Sequence, residues 1–235
     1  PIEFPHQYKK SEDIEVSGFI ASCFAYGKVD LFKPVIKKIL SCMGDSPYDF
    51  LKGFHLRRDS HLFYGIKYRF NNTNDILYLL SLISAVIKRY GSIENLFRKF
   101  YKEGDPHIGN ALTKFVEEIK KMSQSEGRGF LQFFPSPLNG SSCKRINMFL
   151  RWMIRDRDID FGIWKGVPKN KLIIPLDTHI SRISRCLGFT KRASDGWKTA
   201  IEITEALKIF DPEDPLKYDF ALCHQGISGV CNKYK

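Results

Sequence analysis

The chain is poor in the features that sort sequences quickly. It has six cysteines, at positions 23, 42, 143, 186, 223 and 231, and no two of them form Cys-x-x-Cys. The common zinc and dithiol spacings are therefore missing, and the nearby pair Cys223 and Cys231 cannot supply a four-ligand cluster site. Free, mostly buried thiols in a reducing compartment are the expectation. No apolar run reaches the ~18 residues of a membrane span. The longest, 76–87, is interrupted by Tyr78, Ser81 and Ser84 and runs into Lys88-Arg89. The opening Pro1-Ile2-Glu3-Phe4-Pro5-His6 does not read as a signal peptide. Internal repeats and low-complexity tracts are missing too. Acidic residues are outnumbered, 26 against 37 lysines and arginines, for a net charge of +11. That imbalance favours a polyanionic partner, because each neutralised phosphate releases a counterion.

What is present is helical periodicity over a core-sized apolar content of 43%. The spacing predicts helices at 13–26, 31–43, 74–90, 93–101, 106–122, 127–134, 141–155, 177–187, 195–210 and 215–226, hence an all-α fold. The strongest is 74–90, with Asp75 in its first turn, Lys88 and Arg89 in its last and Gly91 after it. Ser92 is placed to cap the next helix. The segment 64–70 is the one candidate strand. The span 156–175, with Gly162, Gly166, Pro168 and Pro175, reads as a long irregular segment, of the kind that is usually functional or mobile.

Two short stretches carry chemistry. In Leu138-Asn139-Gly140-Ser141-Ser142-Cys143-Lys144, Gly140 permits a positive-φ turn, and Asn139, Ser141 and Ser142 suit turn and cap positions. Amides exposed at the start of the following helix can hold a phosphate without reading bases. Lys144 sits in the first turn of that helix beside Arg145, where the macrodipole disfavours an ammonium. A neutral amine is what nucleophilic attack requires. In Pro175-Leu176-Asp177-Thr178-His179-Ile180, Asp177 is an N-cap whose carboxylate stays ionised, able to stabilise cationic character at a sugar carbon, while His179 can donate to a phosphate. An amine and a carboxylate on a basic helical chain point to chemistry on a DNA sugar. Each residue also has an ordinary role: a connecting turn, an exposed lysine, a helix cap.

Leu138-x-Gly140-x-Ser142-x-Lys144, with Asn147 three residues on, resembles the hairpin of the helix-hairpin-helix DNA glycosylases. Asp177-Thr178-His179 resembles their Val-Asp-Thr-His segment. The 33 residues between Lys144 and Asp177 (177 − 144) look closer to the archaeal 8-oxoguanine glycosylase branch than to endonuclease III. Ser142 and Asn139 depart from the family's glycine and proline. The resemblance implies two all-α lobes with a cleft between them, one lobe from 51–155 and the other from 1–50 with 156–235. It implies a bifunctional glycosylase and lyase in which Lys144 attacks C1′ and Asp177 stabilises charge. Asn139, Gly140, Ser141, Ser142 and His179 would hold phosphates. The family also allows an alkali ion at the hairpin carbonyls, but no iron–sulfur cluster or other cofactor is expected here. The partner would be duplex DNA with a damaged base, bound by a monomer in the cytoplasm at the nucleoid.

A pocket for 8-oxoguanine needs an acceptor for N7–H and flat stacking groups. Phe24, Trp152, Asp219 and Phe220, with Trp164 and Trp197, are the candidates; core packing is the competing role for each aromatic. Alternative readings are the same chemistry on an alkylated purine or oxidised pyrimidine, a helix-hairpin-helix DNA-binding protein without catalysis, and an all-α interaction protein unrelated to DNA.

Overall fold

A computed structural model describes residues 1–123, 125 and 127–227. Among them there is no strand, and twelve α-helices joined by short 3-10 turns make an all-α chain. They are α1 (Ser11–Phe24), α2 (Val29–Ser41), α3 (Pro47–Lys52), α4 (Leu56–Asp59), α5 (Thr73–Tyr90), α6 (Ile93–Arg98), α7 (Gly109–Met122), α8 (Arg128–Leu131), α9 (Lys144–Ile154), α10 (Thr178–Cys186), α11 (Trp197–Lys208) and α12 (Asp219–Ile227). The expected strand at 64–70 is instead a turn closed by an isolated pairing of Tyr68 with Asn71. No helix among the described residues is long and apolar enough to cross a membrane.

The chain divides into two compact units, 1–100 with 114–135, and 101–113 with 136–235. This is a different division from the one expected. The N-terminal helices belong with the central ones, and the hairpin belongs with the C-terminal helices.

In the first unit, α5 is the central element, because its apolar stripe is wide enough to meet helices on several sides. Ile76, Leu79, Leu80 and Ile83 are buried, and α5 packs on α3 and α8. Its start is a capping box. The Asn72 side chain accepts from Asp75 N–H, and the Asp75 carboxylate accepts from Asn72 N–H. Gly91 ends it at φ 84°. Ser92 caps α6, and the buried carboxylate of Glu15 accepts from the Ile93 and Glu94 amides, satisfying two orphan donors at that helix start. Phe130, Phe133 and Phe134 pack against one another, and Phe24 meets Phe133 edge-on at 5.2 Å.

In the second unit, α10 and α12 are in close contact, and Gly226 makes this possible. A Cβ there would come within 2.5 Å of the His179 carbonyl oxygen. The 156–175 span is irregular, as expected, but it is built into the core. Trp164, Val167, Leu172, Ile173 and Ile174 are buried, and Thr204 on α11 accepts the Ile174 amide proton.

Candidate active site

The hairpin begins at Ser136, whose hydroxyl accepts from Leu138 N–H to start a 3-10 turn, Pro137–Asn139. Gly140 closes it in the left-handed conformation, at φ 74°, with its amide donating to Pro137. Leu138, Asn139 and Gly140 are exposed at the tip. The Gly140 carbonyl accepts from Trp197 N–H, and Gly196 allows that approach, since a Cβ there would lie 2.7 Å from the same oxygen. The Gly140 amide is therefore committed inside the turn, and the Cys143 amide donates to Ser141 Oγ. Phosphate contact from this hairpin would fall to the first-turn amides of α9 and to Ser142, rather than to Gly140 N–H.

Cys143 is the N-cap of α9, at φ 51°, a left-handed conformation unusual for a residue with a Cβ. Its thiol is buried, and burial pushes its pKa up to about 12, against a small opposing hydrogen bond with Ser141. Asn147, fully buried one turn into α9, donates to the Ser142 carbonyl and ties the hairpin to the helix.

These constraints place Lys144 at the first position of α9. Its Nζ lies 3.5 Å from Oδ2 of Asp177. The pair is partly open to solvent, with 38% of the lysine side chain and 18% of the aspartate exposed. Asp177 uses its other oxygen, Oδ1, to accept from the His179 and Ile180 amides, both at 2.9 Å, and so caps α10. One carboxylate thus anchors a helix and faces an amine. His179 is half-buried, and its Nδ1 has no hydrogen-bond partner among the described residues.

The second feature was not foreseen from the sequence. Arg151 in the last turn of α9 and Arg155, its C-cap residue, are almost fully buried. Arg151 pairs with Asp219 at the start of α12 and, through Nε at 3.1 Å, with Asp160. Arg155 contacts Asp158 at 2.8 Å, Asp160 at 2.9 Å and Asp214 at 2.8 Å. Burial raises the pKa of Asp160 and of Asp219, and the arginines pull back without fully offsetting it. Burial alone would lower the pKa of Arg155, but the three carboxylates outweigh it and raise it. Cys223, one turn past Asp219 on α12, lies in the joint field of Asp177, Asp219, Lys144 and Arg151, and burial is the main cause of its raised pKa. The sequence shows only two arginines four residues apart before an aspartate-rich loop, and two of the carboxylates that neutralise them, Asp214 and Asp219, lie far along the chain.

The base-pocket candidates part company. Phe220 is exposed on α12, in stacked contact with His224 at 6.1 Å and with the Arg151 guanidinium 5.2 Å from its ring. Asp219 is buried and committed to Arg151. Trp152 is 4% exposed and Phe24 is fully buried, so neither presents a ring face; both serve the core. Trp164 and Trp197 are buried as well. No group of three or more His, Cys, Asp or Glu among the described residues is placed to hold a metal ion. Cys23, Cys42, Cys143 and Cys223 are free thiols. Cys186 is disulfide-bonded, which corrects the expectation of uniformly free cysteines; Cys231 lies outside the described residues.

The molecule is thus an all-α chain that joins an exposed glycine turn, a helix-start lysine and a helix-capping aspartate. It belongs to the family described as "Protein of unknown function (DUF2400)", whose model matches residues 1–228. No curated protein and no solved structure matches the chain.

Proposed function

We propose that the chain is a bifunctional DNA glycosylase and lyase of the helix-hairpin-helix type, acting as a monomer on a damaged base in duplex DNA. The observation that carries this reading is the 3.5 Å approach of Lys144 Nζ to Asp177 in a partly exposed position. In the reaction, the neutral amine forms a bond to C1′ as the bond from C1′ to the base nitrogen breaks. The base leaves with that electron pair and takes up a proton. Asp177 stabilises positive charge at the sugar and accepts the proton lost from the attacking amine. Ring opening gives an imine between Lys144 and C1′. Loss of a C2′ proton then expels the 3′ phosphate by β-elimination. The exposed hairpin and the start of α9 fit a grip on the flanking phosphates, and the net charge of +11 supports a polyanionic partner.

The substrate proposed is 8-oxoguanine, with Phe220 as the stacking surface. One observation favours a second reading within the same chemistry, an alkylated purine or an oxidised pyrimidine. Asp219, the expected acceptor for N7–H of 8-oxoguanine, is held by Arg151. An incision gel across duplexes that each carry one lesion tests both. Strand cleavage opposite cytosine only with 8-oxoguanine supports the first reading, and cleavage confined to another lesion supports the second. No product with any lesion contradicts the enzyme proposal.

A further inference from the structure

The turn at 68–71 in the first unit has no part in the site above. Tyr68 N–H donates to the Asn71 carbonyl and Asn71 N–H donates to the Tyr68 carbonyl, both at 2.8 Å, which pinches two residues, Arg69 and Phe70, out at the tip. Arg69 takes a φ of 49°, a left-handed conformation that a side-chain-bearing residue rarely adopts.

The base of the turn is held from several sides. Tyr26 and Tyr68 lie ring against ring at 4.8 Å. Each of these tyrosines gives its hydroxyl proton to oxygen atoms of the turn or of its support: Tyr68 Oη to the Tyr26 carbonyl, and Tyr26 Oη within 2.6 Å of Asn71 Oδ1. Asn71 is itself buried and donates to the Gly129 carbonyl at 2.6 Å. Gly27 leaves the space that the Arg69 guanidinium occupies, since a Cβ there would come within 2.6 Å of it.

The tip is the opposite of its base. Phe70 is 65% exposed. The Arg69 guanidinium lies 5.5 Å from the Phe70 ring centroid and 5.9 Å from that of Tyr26. Lys28, Lys67, Arg69 and Arg128 are all exposed around this feature, Arg128 being next to the Gly129 that abuts the Phe70 carbonyl. An exposed phenyl ring adds nothing to the core, and the strained arginine backbone is kept only because the surrounding bonds over-determine it, a combination that points to function. A fixed aromatic face beside a guanidinium, in basic surroundings, matches a nucleotide: a base stacks on the ring, and the cations meet the adjoining phosphates.

We propose that the Arg69–Phe70 turn is a stacking platform for an unpaired base of DNA. It rests on the reading of DNA as the partner, but not on the Lys144 chemistry. The full chain is titrated against a fluorescein-labelled single-stranded oligodeoxynucleotide and against the matched perfect duplex, by anisotropy at several salt concentrations. Phe70→Ala weakens single-strand binding by about 5- to 100-fold, leaves the salt slope unchanged and leaves duplex binding unchanged, because a duplex offers no free base face. Phe70→Trp restores single-strand binding. Arg69→Ala lowers the salt slope by about one unit. Wild-type-like single-strand binding by Phe70→Ala overturns the platform and leaves the DNA reading standing, as does an equal loss on both substrates. A wild-type chain that binds neither DNA removes both.

Discussion

The Arg151 guanidinium is enclosed between the Asp219 carboxylate and the carboxylate of Asp160, and almost none of it reaches solvent. Truncating one partner leaves a buried charge short of a counter-ion. Asp219→Ala is therefore expected to cost about 3–5 kcal/mol of stability, read from urea unfolding, whereas a double variant, Arg151→Met with Asp219→Leu, recovers most of that loss. A single variant as stable as wild type contradicts the enclosed pair.

Gly226 tests how closely α12 lies on α10. A methyl group there meets the His179 backbone at 2.5 Å, and backbone cannot step aside. Gly226→Ala is expected to destabilise by about 1–3 kcal/mol, measured as a fall in the thermal midpoint. Gly104→Ala is the control: nothing lies within 4 Å of its Cβ, and its midpoint stays near wild type.

Cys143 is adjacent in sequence to Lys144, yet it is predicted to be chemically silent. Its thiol is pushed up to about 12 by burial, and the thiolate is the reactive form. At pH 8 only about one molecule in ten thousand would carry it. Maleimide labelling followed by peptide mass spectrometry should leave Cys143 unmodified in the native protein at pH 7 to 8 and modify it once the chain is unfolded in urea. Rapid native labelling at pH 7 contradicts the burial.

The observed cap and the proposed catalytic role of Asp177 can be separated by substitution. Asn caps a helix about as well as Asp, and Ala does not. Asp177→Asn should therefore keep the thermal midpoint, while Asp177→Ala loses about 1 kcal/mol. Both should lower the incision rate by roughly 10²- to 10³-fold, because both remove the charge facing Lys144. Full activity in Asp177→Asn would leave the aspartate as a cap and nothing more.

The parts of this architecture that are legible in the sequence are those written locally. Ser92 and Asp177 are read as caps, Gly91 as a helix end and Gly140 as a positive-φ turn, because a cap or turn needs only its neighbours. Asn72 escapes notice, since its partner in the capping box, Asp75, reads equally well as an ordinary first-turn acid. The buried arginines are illegible for a different reason. Arg151 and Arg155 resemble the polar face of any helix, and the aspartates that make burial tolerable, Asp214 and Asp219, lie 59 and 68 residues further on. The 156–175 span reads as a loop from its glycines and prolines, and the short run Leu172-Ile173-Ile174 between Lys171 and Pro175 does not announce that it is core. In the same way, aromatic content alone cannot separate Phe24 and Trp152, which fill the interior, from Phe220 and Phe70, which do not.

The most direct measurement is borohydride trapping on a lesion-bearing duplex, with wild type and Lys144→Gln compared side by side on a denaturing gel. Wild type is expected to give a covalent protein–DNA band whose cross-linked peptide contains Lys144, and Lys144→Gln, folded as judged by its thermal midpoint, gives none. A band of undiminished intensity in Lys144→Gln, or a cross-link mapped to another lysine, contradicts the account.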